Sequence, residues 1–308
     1  MTEEAEILFE RRGSAGIVTL DRPKALNALT LNMVRALRHQ LDLWREEYAL
    51  NAAIKRYPKP YIALIDGIVM GGGVGVSVHG SHRVAGDNFL FAMPEVGIGF
   101  FPDVGATWFL PRMPGELGTY CAMTGERLKT ADGVAGGIAT HYVPSAIFPD
   151  LLDALCGLEA VDELLAAYSS AAGVGPLTAR RAAIDRLFAA SSVEGILANL
   201  DAEARASGED AEWAAETAAT IRSRSPTSLK IALAQVRRGK NWSFEECMRA
   251  EFRIVSRVVY GADFYEGVRA VIIDKDNRPR WRPGTLGEVG PAEVERYLAP
   301  LDCELALP

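Results

Sequence analysis

The sequence is poor in the residues that build metal centres and redox pairs. Its 4 cysteines, Cys121, Cys156, Cys247 and Cys303, lie far apart, with no CxxC pair and no histidine nearby. That spacing argues against zinc ligation and a redox dithiol and leaves buried free thiols. His79 and His82 flank a glycine-rich stretch and His141 ends a candidate strand, none with a carboxylate or cysteine at metal spacing. They read as packing or hydrogen-bonding residues, and no metal is expected. Long apolar runs are missing too: the longest, 61–78, is broken by Asp66 and five glycines, a poor membrane span. There is no dense Lys/Arg run and the formal net charge is −7. Nucleic acid and an anionic membrane surface are therefore disfavoured as partners, while a small basic pocket stays open. The N-terminal MTEEAEILFE is acidic and has no apolar leader core, so a cytoplasmic address is expected.

What is present is a chain of 308 residues, 49% hydrophobic and 24% charged, long enough to bury a substantial core. Residues 7–12 and 17–20 predict two short strands about a turn at Arg12–Ser14. A helix is expected from about Thr30 to Trp44, with Met33, Leu37, Leu41 and Trp44 on one face, and a second helical stretch over 45–55. PYIALIDGIV (60–69) reads as a buried strand. Short strands follow around HRVAG and FLFAM, an α/β pattern. From about Pro144 strands give way to helical segments, 162–168, 178–190 and 210–222 the clearest. Ser225-Pro226 is an N-cap with Pro at N1 for a helix ended by Gly239.

Two motifs carry chemistry. MGGGVGVSVHG (70–80) follows a strand and opens a helix, leaving backbone N–H groups free for an anion or a developing oxyanion; a close-packed strand-to-helix crossover explains the same glycines. FAMPEVGIGFFPDVGATWFLPR (91–112) sets Glu95 and Asp103 among apolar residues, where carboxylates seldom settle without function. Two acids at helix N-termini, each following a proline and serving as a cap or dipole partner, is the other reading.

Together these motifs resemble the crotonase superfamily: a Gly triplet after a strand, then PEVGIGFFPDVG some twenty residues on, with DRPKALNAL resembling its N-terminal CoA-contacting segment. The resemblance implies a crotonase-like α/β spiral of ββα units over 1–175 and a helical C-terminal region over 176–308. In enoyl-CoA hydratases of this superfamily one catalytic glutamate follows the glycines as GGGxE and the second lies in the PE motif. Here the first position is Gly75 and the second, Glu95, is kept, which counts against a two-carboxylate hydration. GGGVGVS with PEVGIGFFPDVG is similar to the 3-hydroxyisobutyryl-CoA hydrolases, as is 261–283, GADFYEGVRAVIIDKDNRPRWRP. An ordinary helix with a charged loop would account for the last stretch alone.

The resemblance implies a thioester hydrolase with catalytic Glu95, Asp103 and Gly72. The Gly72 N–H would donate to the oxyanion, and Glu95 would act as general base or as nucleophile. Asp103 would bind the 3-hydroxyl or orient Glu95. Substrate contacts fall on Glu47, Gly71, Gly73, Lys24, Ala25 and Asn27. Coenzyme A is part of the substrate, no separate cofactor is implied, and homo-oligomers such as trimers are common in the superfamily. Hydratase or isomerase activity and a catalytically weak acyl-CoA-binding homologue are the alternatives. The resemblance has one gap: crotonases carry a strand and an AGGD-like loop, the second oxyanion donor, where LDLW (41–44) here runs straight into REEYALN. Either the sequence omits a segment of a few dozen residues or the protein lacks it; omission is favoured, because both flanks match the family and loss of a core strand would leave sheet edges and apolar faces uncovered.

Overall fold

The computed structural model describes residues 7–20, 40–206 and 208–308. Strands β1 (Ile7–Arg12) and β2 (Ala15–Leu20) pair antiparallel about Gly13, whose φ of 57° suits glycine. The turn is fastened far away in sequence, the Ser14 hydroxyl donating to the Cys156 carbonyl at 3.0 Å. Helix α1 (Gln40–Lys55) runs unbroken through Trp44 and Arg45. The two helical stretches expected there are one helix, and positions 30–39 lie outside the described residues. Trp44 is buried against Phe100, and the Arg45 guanidinium lies 4.6 Å from the Phe252 ring centre. Apolar contacts therefore hold the junction in place.

The single buried strand expected over 60–69 is two short ones, β3 (Ile62–Ile65) and β4 (Ile68–Val69), in different sheets. The corner between them is fixed by Asp66, whose carboxylate accepts from the Asn88 N–H at 2.9 Å and the Ser145 hydroxyl at 2.6 Å. An isoleucine-rich run of 2-residue period does not reveal such a corner. Helix α2 (Gly72–Ser77) follows, then β5 (His82–Ala85), β6 (Leu90–Phe91), α3 (Ala106–Phe109), α4 (Leu117–Thr124), β7 (Leu128–Lys129), α5 (Thr130–Ala135) and β8 (His141–Tyr142). One sheet has order β3-β5-β8, all parallel, and the other β4-β6-β7. Successive strand pairs thus supply one strand to each sheet, the spiral of ββα units that the resemblance implied.

Among the described residues no strand follows β8. The rest is helical: α6 (Phe148–Leu155), α7 (Val161–Tyr168), α8 (Pro176–Ala179), α9 (Arg181–Leu187), α10 (Val193–Arg205), α11 (Ala211–Arg222), α12 (Pro226–Gly239), α13 (Phe244–Val258), α14 (Ala262–Val268) and α15 (Pro291–Leu298). The helix expected over 178–190 breaks at Arg180, which leaves helical ψ and reaches Asp210 at 3.4 Å. Ser225 caps α12 as expected, accepting from Ser228 N–H. One cluster of buried side chains extends from Trp44 to Leu305, and a small second one joins Val84, Val143, Leu151 and Leu165. All 4 cysteines are free, but only Cys121 and Cys247 are buried; Cys156 is half-buried and Cys303 exposed, so the expectation of buried thiols holds for two.

Among the described residues the hairpin β1–β2 is hydrogen-bonded to neither larger sheet, and β3 stands at the edge of its sheet with its four residues all only half-buried. A cleft of about 390 Å³ separates the end of β1 from β3, lined by Arg12, Leu64, Phe148 and Leu152. Among the described residues no strand covers this edge of β3.

Candidate active site

The site is assembled from α1, the glycine turn before α2, and the two acid-bearing turns that precede α3. Gly71 takes φ 52°, a conformation that side chains resist, and this lets the chain swing from β4 into α2. The next amides fold inward: Gly73 N–H reaches Met70 O and Val74 N–H reaches Gly71 O. Gly72 N–H takes no acceptor among the described residues and is available to a ligand. Against it stands Glu47 of α1, with Oε1 3.1 Å from where a Gly72 Cβ would be. Burial lifts the Glu47 carboxyl to about 6.

Glu95 opens a 3-10 turn, Glu95–Ile98, but caps nothing, and Asp103 makes no side-chain cap either. Neither acid is a side-chain cap, although Glu95 does stand in the first turn of its short helix, where a carboxylate meets the positive end of the dipole. Glu95 is buried, its Oε2 has no hydrogen-bond partner, and burial lifts its carboxyl to about 8. Asp103 is also buried; its Oδ2 accepts from the Tyr48 hydroxyl at 2.9 Å. Its carboxyl is pushed well above the usual range, first by burial and then by Glu47, Glu95 and Glu251 nearby. The fold thus gathers four acids that lie far apart in sequence.

The backbone beside Asp103 is strained. Val104 has φ 51°, unusual for a β-branched residue. It persists because its surroundings fix both sides. Glu251 of α13 accepts from Gly105 N–H at 2.7 Å and Thr107 N–H at 2.8 Å, and His79 Nε2 lies 2.7 Å from the Val104 carbonyl. His79 is a buried hydrogen-bonding residue, as expected, its pKa lowered by burial to about 4. His82 and His141 likewise bond to neighbours, Asp162 and Thr140.

Sequence reasoning missed Tyr48, Asn51 and Glu251. Asn51 stands four positions beyond Glu47 and Tyr48 four beyond Trp44 on α1, so helical spacing could have found both. Glu251 has no local signal. Gly73 packs on Val69. Lys24, Ala25 and Asn27 lie outside the described residues.

The C-terminal stretch 261–283 serves the same site. Gly99, just past the Glu95 turn, lies on the Asp263 and Phe264 backbone, and Gly267 of α14 lies on the Ile98 carbonyl. Asp263 in turn accepts from the Ser225 hydroxyl at 2.6 Å and Arg282 N–H at 2.7 Å. The charged loop closes on Arg269, which pairs with Glu266, Asp274 and Asp276.

A ββα spiral with a free glycine amide opposite buried acids defines an acid-centred site suited to a polarised carbonyl. The description of the enoyl-CoA hydratase/isomerase family matches residues 15–47 and 40–298, and the chain belongs to that family. The mitochondrial 3-hydroxyisobutyryl-CoA hydrolase of Danio rerio is 42% identical, covering 97% of this chain and 90% of the relative. That of Homo sapiens is 39% identical over 96% and 89%. Among solved structures, a carnitinyl-CoA dehydratase from Mycobacterium thermoresistibile superposes with TM-score 0.87 at 38% identity, covering 98% of this chain and 99% of that one. An enoyl-CoA hydratase from Rhodobacter sphaeroides gives 0.86 at 36% identity, covering 98% and 100%. The family match divides at residues 40–47, inside α1. The Danio alignment runs over 351 positions, more than the 308 residues of this chain, so the relative carries residues with no counterpart here. No helix among the described residues is long and apolar enough to cross a membrane.

Proposed function

We propose that this chain hydrolyses a 3-hydroxyacyl-CoA thioester, with 3-hydroxyisobutyryl-CoA the best-fitting substrate, to the free acid and CoA, a step of valine degradation. The observation that carries the reading is the asymmetry of the acids: Gly75 stands where a hydratase needs its first glutamate, while Glu95 is buried and has a free oxygen. The nearly full-length hydrolase relatives support it. Hydration needs acid and base on both sides of a double bond, whereas thioester hydrolysis needs one base and an oxyanion donor, since thiolate leaves readily.

In this reading the Gly72 N–H receives the oxyanion and Glu95 takes the proton of the attacking water. A carboxyl at about 8 leaves about one molecule in ten ionised at neutral pH, and that form is a stronger base than an ordinary carboxylate. Asp103 holds the 3-hydroxyl through Oδ1, Tyr48 occupying Oδ2. Glu47 closes the acyl pocket by the glycine turn, and Lys24, Ala25 and Asn27 meet the CoA moiety. The missing strand and loop favour a second reading, a slow or silent acyl-CoA-binding homologue.

Thiol release from a panel of acyl-CoA esters, run beside the absorbance of an enoyl double bond, separates hydrolysis from hydration. Glu95→Gln keeps the shape and removes the base, so thiol release should fall at least about 10²-fold with ester binding retained. A variant keeping most of its kcat would overturn the assignment.

A further inference from the structure

Asn51 is wholly buried on α1, yet neither its Nδ2 nor its Oδ1 has a hydrogen-bond partner among the described residues. An unpaired carboxamide in a folded interior is costly and needs a reason, such as a ligand that completes it. Its place is informative. Asn51 lies one turn of α1 beyond Glu47, and its Nδ2 is 2.7 Å from where a Gly75 Cβ would stand, with Val104 Cβ 3.1 Å from that point. It is therefore wedged between α2 and the residue after Asp103, in space that a side chain at position 75 would take.

We propose that Asn51 is a specificity-determining residue that binds the hydroxyl of the acyl group, Nδ2 donating to the hydroxyl oxygen while the hydroxyl donates to Asp103. The inference rests on the acyl-thioester reading of this site and deepens it. Three physical points select a hydroxyl. An anion would meet Glu47 and Asp103, both close by. A cation would have to leave water for a buried neutral amide. A plain alkyl group would leave Nδ2 unpaired, the penalty by which a site built for hydrogen bonding rejects the analogue that lacks it. Distance agrees as well: Gly75 is three residues past Gly72, about 4.5 Å along a helix, the scale separating a thioester carbonyl from a hydroxyl two carbons away.

The test uses 3-hydroxyisobutyryl-CoA and isobutyryl-CoA, which differ only by that hydroxyl, titrated by calorimetry into Glu95→Gln so that turnover does not interfere. Glu95→Gln should bind the hydroxy ester about tenfold or more tightly, and Glu95→Gln/Asn51→Val should bind both esters within about twofold. Asn51→Val deletes unpaired polar atoms, so the melting temperature of the free protein should hold or rise; Asn51→Ala serves if the valine does not fit. A preference that survives either substitution, or is absent while Asn51 is present, overturns the proposal. The parent reading fails separately: a hydroxyl preference that depends on Asn51, without thiol release by the unsubstituted chain, would keep the binding role and remove hydrolysis.

Discussion

At the scale of the residue, the site works through desolvation. Glu95 at about 8, Glu251 at about 7 and Glu47 at about 6 are all raised by burial. Two outcomes follow from the sign of these shifts. As a base, Glu95 must be ionised, so kcat/KM for thiol release should climb with pH toward a plateau above about 8; a profile flat from pH 6 to 9 would exclude it as the base. In the folded state the same carboxyl stays protonated where the unfolded chain has ionised, so folding binds protons between about 4.5 and 8. Stability is then greatest below that window and is lost as pH rises through it, at ~1.4 kcal/mol per unit for a single such group. The melting temperature of Glu95→Gln, followed from pH 5 to 8, should fall less steeply than that of the unsubstituted chain. Glu95 and Asp103 were legible in the sequence because they interrupt a run of Phe, Val and Ile. Their altered acidity was not, since it depends on which acids become neighbours.

At the scale of the element, the acid-bearing turns are too short to hold their shape alone. The Glu95 turn has four residues and α3 has four, and isolated helices of that length are unstable in water. Each is held by a helix from the far end of the chain, α14 against Ile98 and Gly99 and α13 through Glu251. Gly267→Ala would drive a methyl into the Ile98 backbone. It should destabilise the fold by about 1–3 kcal/mol and lower kcat, because the turn that moves carries Glu95. Thermal denaturation and steady-state kinetics would check both, and unchanged kcat in a folded variant would mean that α14 does not position Glu95. The motif 261–283 was visible in the sequence as a resemblance. Its purpose was not, because a glycine that permits close approach looks like any other glycine until its neighbour is known.

At the scale of the molecule, no strand among the described residues covers the edge of β3, and a cleft lies between it and the hairpin. Grafting the strand and loop of a hydrolase relative between Trp44 and Arg45 should join β1–β2 to the β3 sheet and supply a second oxyanion donor. Thiol release should then rise by about 10²- to 10³-fold, the usual worth of one such donor. A graft that folds, judged by its melting temperature, yet gains no rate would show that Gly72 alone suffices.

The sequence by itself determined the strand and helix periods, the glycine turn, the Ser225 cap and the pair Glu95 and Asp103. These are local matters, in which a residue's own conformational limits or its contrast with its neighbours leaves a trace a few positions wide. Tertiary structure alone decided that Val104 is strained and that Glu251 and His79 hold it. It also decided that 60–69 turns a corner at Asp66, and that Asn51 fills the space left by Gly75. Each of these arises between residues distant along the chain, where only packing determines what a buried group can touch.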